Sequence, residues 1–366
     1  MYKDSSGKYN YRMTDKKGTH GPVILIGSGE TSSTGGVIFE KLAKHYGDNL
    51  RIAIIETPAG FELNSNRVAG RVGDYLSKRL QNYHPVIDII PARKRGGLFS
   101  PDNESILEPL YSANVIFLGP GSPTYAARQL EGSLAYEILQ VKQRTGTALV
   151  LASAATIAFG SQTLPVYEIF KAGMDLHWQS GLNFFQYYGR DLVIIPHWNN
   201  TQGGDELDTS HCFIGEKRFA ELRALLKGTP DILGIDEHTS VWIEPDTLTA
   251  RVYGKGFVHL YHDGEITDVK NGQTISLAYP GYSATSFDVF DGIRPEVIRH
   301  LLILDRDLQE SPREQPPENI KKLAELRDTA RKAGDFTKAD ELRQQMEDAG
   351  WRVQDTASGS QLERFK

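Results

Sequence analysis

Three polar residues in this chain stand where an apolar run ends, and together their types could carry acyl transfer. Ser153 closes "ALVLAS", His197 closes "LVIIPH" and Glu237 closes "ILGIDE", with Asp236 beside it. A serine hydroxyl is a poor nucleophile until a base takes its proton, and the imidazole that takes it needs a carboxylate to orient it. Each residue also has a plainer use: a serine between strand and helix is a common helix cap, and a histidine after a strand often serves packing. A fourth segment, "FLGPGSPTYAARQL", holds a Gly-Pro-Gly turn. Its amides at Gly121 and Ser122, with that of Ala154 beside the serine, are candidates to hold an oxyanion. The same turn could be an ordinary tight connection.

For such residues to meet, the chain must bring several strand ends to one rim. Short β-branched runs at 23–30, 51–58, 86–92, 115–121 and 148–154 alternate with helical spacing near 36–46, 64–82, 103–111 and 124–129, and runs at 192–198 and 232–237 follow. Runs apolar on both faces that alternate with helices predict a three-layer α/β/α fold around a mostly parallel sheet. In that class ligands bind beyond the carboxyl ends of the strands, where Ser153, His197 and Glu237 all fall. A sharp strand-to-helix turn would lift the Ser153 hydroxyl clear of the backbone, although the glycines of a G-x-S-x-G elbow are replaced by Leu151 and Ala155. From 238 onward, "SVWIEP", "ARVYGKGFVHLYHDGE" and "YSATSFDVFDG" read as antiparallel strands that extend the same domain.

The remaining organisation is simple. Residues 1–20 are polar and read as a disordered arm, 21–305 as the α/β domain, 306–318 as a Pro- and charge-rich linker and 319–366 as a helical hairpin. In the hairpin, Leu323, Leu326 and Ala330 mark one apolar face and Phe336, Ala339, Leu342 and Met346 another, with Gly334 ending the first helix and Asp335 capping the second. The 366 residues carry a net charge of −6, which gives no global pull toward nucleic acid or anionic membrane. The one cysteine, Cys212, excludes an internal disulfide framework. No apolar run approaches the roughly 20 residues that span a bilayer, and no signal-peptide core precedes the domain. The expectation is a cytoplasmic protein.

In the order "IGSGE", "FLGPGSPTYAARQL", the serine turn, "PHWNN" and "GIDE", the chain resembles the aspartyl dipeptidase and cyanophycinase family of serine peptidases, within the class I glutamine-amidotransferase-like superfamily. The resemblance covers roughly residues 22–300. It implies that Ser153 is the nucleophile and His197 the base, with Glu237 as orienting acid and Glu168, fifteen residues after the serine, as the alternate. It further implies a small peptide or amide substrate and no cofactor, with Gly29, Glu30 and Asn199 at the substrate. The segment "ARKAGDFTKADELR…GWRVQDTASG" resembles the C-terminal end of cysteinyl-tRNA synthetases, but no H-I-G-H or K-M-S-K-S run occurs elsewhere.

Other constellations carry less. His197, Asp205, Asp208, His211 and Cys212 lack zinc-type spacing, so no metal is expected; a helix from about Cys212, capped by Asp208 or Ser210, accounts for them better. "GSGETSSTGG" lacks the third glycine of a dinucleotide fingerprint, at Ser32. Residues 318–366 hold ten basic and ten acidic side chains. A phosphate-binding surface is normally rich in lysine and arginine, so this appendage reads as a docking or self-association element rather than a tRNA contact. A homo-oligomer is compatible with that reading.

Overall fold

The apolar runs become strands at nearly the expected positions. In this computed structural model, which describes residues 20–283, 288–310, 316–356 and 359–364, they are β1 (Val23–Ile26), β2 (Arg51–Ile55), β3 (Val86–Ile90), β4 (Val115–Leu118) and β5 (Ala148–Ala152). Two-residue strands β6 (Gln162–Thr163) and β7 (Gln179–Ser180) pair with each other, and β8 (Leu192–Ile195) and β9 (Asp231–Ile235) follow. The antiparallel region supplies β10 (Thr239–Glu244), β11 (Thr249–Gly254), β12 (Phe257–His262), β13 (Glu265–Lys270) and β14 (Thr274–Ser276). In the run 282–292, residues 284–287 lie outside the described ones, and the others form no strand.

The helices of this region are α1 (Ser33–Tyr46), α2 (Ser65–Arg79), α3 (Glu104–Ser112), α4 (Pro123–Leu130), α5 (Leu134–Arg144), α6 (Ala154–Ala158), α7 (Val166–Phe170), the single turn α8 (Ser210–Phe213) and α9 (Glu216–Ala224). Local chemistry starts several of them: Ser32, Asn103, Ser122 and Ser133 each accept a backbone N–H of the first turn. Helix α5 is an element that the sequence reading did not separate. Its "LAYEILQVKQR" is buried almost all round, so it lacks the polar face that marks a surface helix.

Strand order in the larger sheet is β14-β11-β10-β1-β5-β4-β2-β3. Five neighbours, β1 through β3 in that order, run parallel, and β10 lies antiparallel against β1. Strands β8 and β9 pair in parallel in a separate four-stranded sheet, β13-β12-β9-β8. The region is a three-layer α/β/α fold with antiparallel additions, and its second sheet is the feature the linear pattern did not show. On one face of the larger sheet, Ile24, Ile52, Phe117 and Val150 pack with Phe39, Leu42, Val72 and Leu76 of α1 and α2. A further core joins β8 and β9 to α9 through Val193, Ile195, Ile232, Phe219 and Leu222, with Trp198 among them.

The chain divides after Arg299 into two compact units. The division falls inside α10 (Pro295–Glu310), so helix continues through 306–310, where a linker was expected. Residues 311–315 of that linker, and 1–19 of the expected arm, lie outside the described residues. His20, the last residue of the arm, is buried with its ring 2.6 Å from Asp246. The second unit is more than a hairpin. Helices α11 (Glu318–Lys332) and α12 (Phe336–Asp348) are followed by β15 (Trp351–Thr356) and β16 (Gly359–Arg364), paired antiparallel. Asp335 caps α12 through the Lys338 amide, and Gly334 has φ +78°. The buried stripe of α11 is Ile320, Ala324 and Arg327, while Leu326 is exposed, because the strands as well as α12 cover that helix. Met346 is fully buried against Trp351 and Val353 in this small core. Truncating it as Met346→Ala is expected to cost about 2–5 kcal/mol. Limited proteolysis should then cut within 318–364 faster than in the wild type, with residues 20–299 left intact.

Candidate active site

Ser153 follows β5 and directly precedes α6. It has φ 53° and ψ −114°, a conformation that costs a non-glycine residue about 1–3 kcal/mol and persists where surrounding structure imposes it. Here the Ser153 amide donates to Ile26 on the neighbouring β1, and the Ala155 amide reaches the Gly119 carbonyl at 3.4 Å. The turn forms without flanking glycines: Leu151 belongs to β5 and Ala155 to α6, and both are fully buried. The hydroxyl makes no capping bond to α6. It lies 2.9 Å from Nε2 of His197 instead.

His197 lies just past β8, with φ 50°. Its Nδ1 is 3.1 Å from Oε1 of Glu237, which leaves β9 on the adjacent parallel strand. The Trp198 amide, bonded to the Ile235 carbonyl, and the Cys212 amide, bonded to the His197 carbonyl, hold this segment in place. The second of these comes from α8, where His211, Cys212 and Phe213 all have positive φ, so the helix expected from Cys212 begins only at Glu216. Asp208 does cap it, accepting the Glu216 amide at 2.7 Å. Cys212 is buried, and burial pushes its thiol up to about 12. Among the described residues no three His, Cys, Asp or Glu side chains are grouped to hold a metal ion.

Glu237 is held below its ordinary range, first by the hydrogen bond to His197, against the opposing effect of burial, and further by Asn200. An ionised carboxylate only accepts, so Nδ1 carries the hydrogen and Nε2 is left to accept from the serine. The His197 and Glu237 side chains remain 16% and 24% exposed, and Ser153 is half-buried. Asn200 is a residue the sequence reading missed: it is buried and donates to Oε1 of Glu237 at 2.9 Å. The pair "NN" was the signal, but spacing could not say which asparagine turned inward.

The other candidates separate. Glu168 does not meet His197; its Oε1 accepts from Thr124 on α4, and its Oε2 is buried with no hydrogen-bond partner among the described residues. The Ser122 amide donates to the Pro58 carbonyl at 2.9 Å and its hydroxyl caps α4, so that N–H is not available to an oxyanion. The amides of Gly121 and Ala154 have no such acceptor among the described residues. Asn199, expected at the substrate, uses its side-chain oxygen to accept the Glu237 amide at 2.8 Å. Gly29, φ +73°, packs against the ring of His238, which places the Gly29–Glu30 loop beside the Glu237 end of the cluster.

Gly121 has a specific steric role. At φ +148° its Cβ would lie 1.9 Å from the Pro58 carbonyl oxygen. Gly121→Ala is therefore expected to displace the loop that carries one free amide, lowering the melting temperature and slowing any reaction at Ser153 by at least tenfold. Thermal unfolding and labelling of Ser153, measured together, check this.

No protein-family model and no curated protein sequence matches the chain. Among solved structures, it is similar to a peptidase from an acI-B1 actinobacterium, with 19% identity, a TM-score of 0.57, and coverage of 71% of this chain and 98% of that one. A putative peptidase E protein from Listeria monocytogenes EGD-e aligns over 71% of this chain and 100% of its own at 16% identity and a TM-score of 0.42. The likeness to the actinobacterial structure is one of fold: a mixed α/β architecture with a large, mostly parallel central sheet.

Proposed function

We propose that this chain is a serine hydrolase of peptidase type that cleaves an amide bond in a small peptide. The observation that carries this reading is the unbroken hydrogen-bonded line from Ser153 through His197 to Glu237, with a serine hydroxyl directed to the imidazole rather than to its own helix. The fold shared with an actinobacterial peptidase supports it.

In this mechanism Nε2 of His197 takes the Ser153 proton as Oγ adds to the substrate carbonyl carbon. The carbonyl oxygen becomes an oxyanion held by the Gly121 and Ala154 amides, and Glu237 stabilises the imidazolium. Collapse breaks the C–N bond, and His197 returns its proton to the leaving amine. Water then repeats the sequence and releases Ser153. No cofactor enters any step.

Intact-mass and peptide mapping after exposure to a fluorophosphonate probe tests the reading. One adduct, on Ser153, is expected in the wild type, and none in Ser153→Ala. A folded wild-type chain that takes up no probe would favour a catalytically silent binding protein of the same fold.

A further inference from the structure

Glu237 is preceded by a second carboxylate that engages the opposite partner. Asp236 is 4% exposed. Its Oδ2 accepts the Phe257 amide at 2.8 Å, and its Oδ1 lies 3.2 Å from Nε2 of His259 on β12. The other ring nitrogen, Nδ1, is 2.8 Å from Oδ1 of Asp268, directly across the β12–β13 ladder. A neutral imidazole has one donor and one acceptor nitrogen, whereas ionised carboxylates only accept. A ring with a carboxylate at each nitrogen satisfies both only as an imidazolium. Burial opposes that charge, but the hydrogen bonds to Asp236 and Asp268 outweigh it and the His259 pKa is raised.

The face of the same ring is also occupied. The Trp198 indole stacks on it, with centroids 5.2 Å apart and planes 22° apart, an arrangement that favours a cation over the π system. Trp198 is the next residue after His197, as Asp236 is the residue before Glu237. One side chain therefore grips the chain neighbours of both members of the acid–base pair. The charged and titratable groups around it are Asp236 at the end of β9, Asp268 on β13, and His211 of α8 across the Trp198 ring, with Glu216 and Arg223 of α9 beyond. His211 is pushed down by its own burial, which leaves His259 as the imidazole of this group that carries charge, beside the Arg223 guanidinium.

We propose that His259, as an imidazolium, is a positioning residue of this site: it neutralises Asp236, so that of two adjacent carboxylates only Glu237 acts on His197, and it fixes both through Asp236 and Trp198. The role rests on the hydrolase reading above. A buried carboxylate whose partner is lost is strongly unfavourable, and Asp236 could then relax only by moving the turn that presents Glu237.

The test is the pH profile of fluorophosphonate labelling at Ser153 in the full chain, with 15N NMR of the histidine rings. In the wild type, both His259 nitrogens are expected to carry hydrogen at pH 7. In His259→Gln, which keeps a donor for Asp236 but no charge, labelling should fall about tenfold. The acid limb of the profile should move to higher pH, because a positive charge near the site is gone. Asp268→Asn alters only an exposed partner and guards against misfolding of the first variant. There His259 should lose its proton about one pH unit lower, and labelling above that point should fall with it. A His259 ring already neutral at pH 7, or labelling profiles in both variants that coincide with the wild type, overturns the role while leaving the hydrolase intact. No labelling of the wild type at any pH sinks the hydrolase reading and this role together.

Discussion

Ser153→Ala is expected to lower amide hydrolysis by roughly ten-thousand- to a million-fold, the range seen when the nucleophile of a serine triad is removed. The size follows from what the alanine cannot do. With no Oγ there is no covalent intermediate, so catalysis falls back on whatever the Gly121 and Ala154 amides contribute to direct attack by water. Stability should not fall in step. The hydroxyl makes no cap to α6, so its removal takes away only the bond to His197, and the strained φ of 53° is no easier for alanine than for serine. Hydrolysis of a dipeptide library, read by release of free amine, measures the rate, and thermal unfolding measures the second expectation. A variant that retained more than a tenth of the wild-type rate would exclude Ser153 as nucleophile.

Glu237→Gln carries the second largest expected effect, a loss of about a thousand- to ten-thousand-fold in kcat. The amide has nearly the shape of the carboxylate, but it can donate as well as accept, so it no longer compels His197 to carry its hydrogen on Nδ1. It also lacks the negative charge that stabilises the imidazolium. KM should change little, since the carboxylate faces the imidazole rather than the substrate. Glu168→Gln is the matched comparison: its carboxylate bonds Thr124 and does not reach His197, so less than a tenfold loss is expected. Equal losses in the two variants would contradict the assignment of roles. Asn200→Ala, which removes the second donor to Glu237, should fall between them, near tenfold.

The strand ends were legible in the chain. Buried parallel strands must be apolar on both faces, so "VILI", "IAII", "VIFL", "ALVLA", "LVII" and "ILGI" could be found one by one, and Ser153, His197 and Glu237 stood out just past three of them. Caps were legible for the same local reason, as at Ser32 and Asp335. Which ends are neighbours is fixed by folding alone. That Glu237 and not Glu168 faces His197 depends on β8 lying beside β9, and strand order is a property of long-range packing that leaves no spacing in the chain. The Ser122 amide was lost to Pro58, more than sixty residues earlier, through a contact no periodicity encodes. The positive-φ turns at Ser153, Cys212 and Phe213 likewise arise in residue types that do not favour them. There the surrounding hydrogen bonds override local preference, and with the pairing of β8 to β9 they bring the side chains of three strand ends within hydrogen-bond distance.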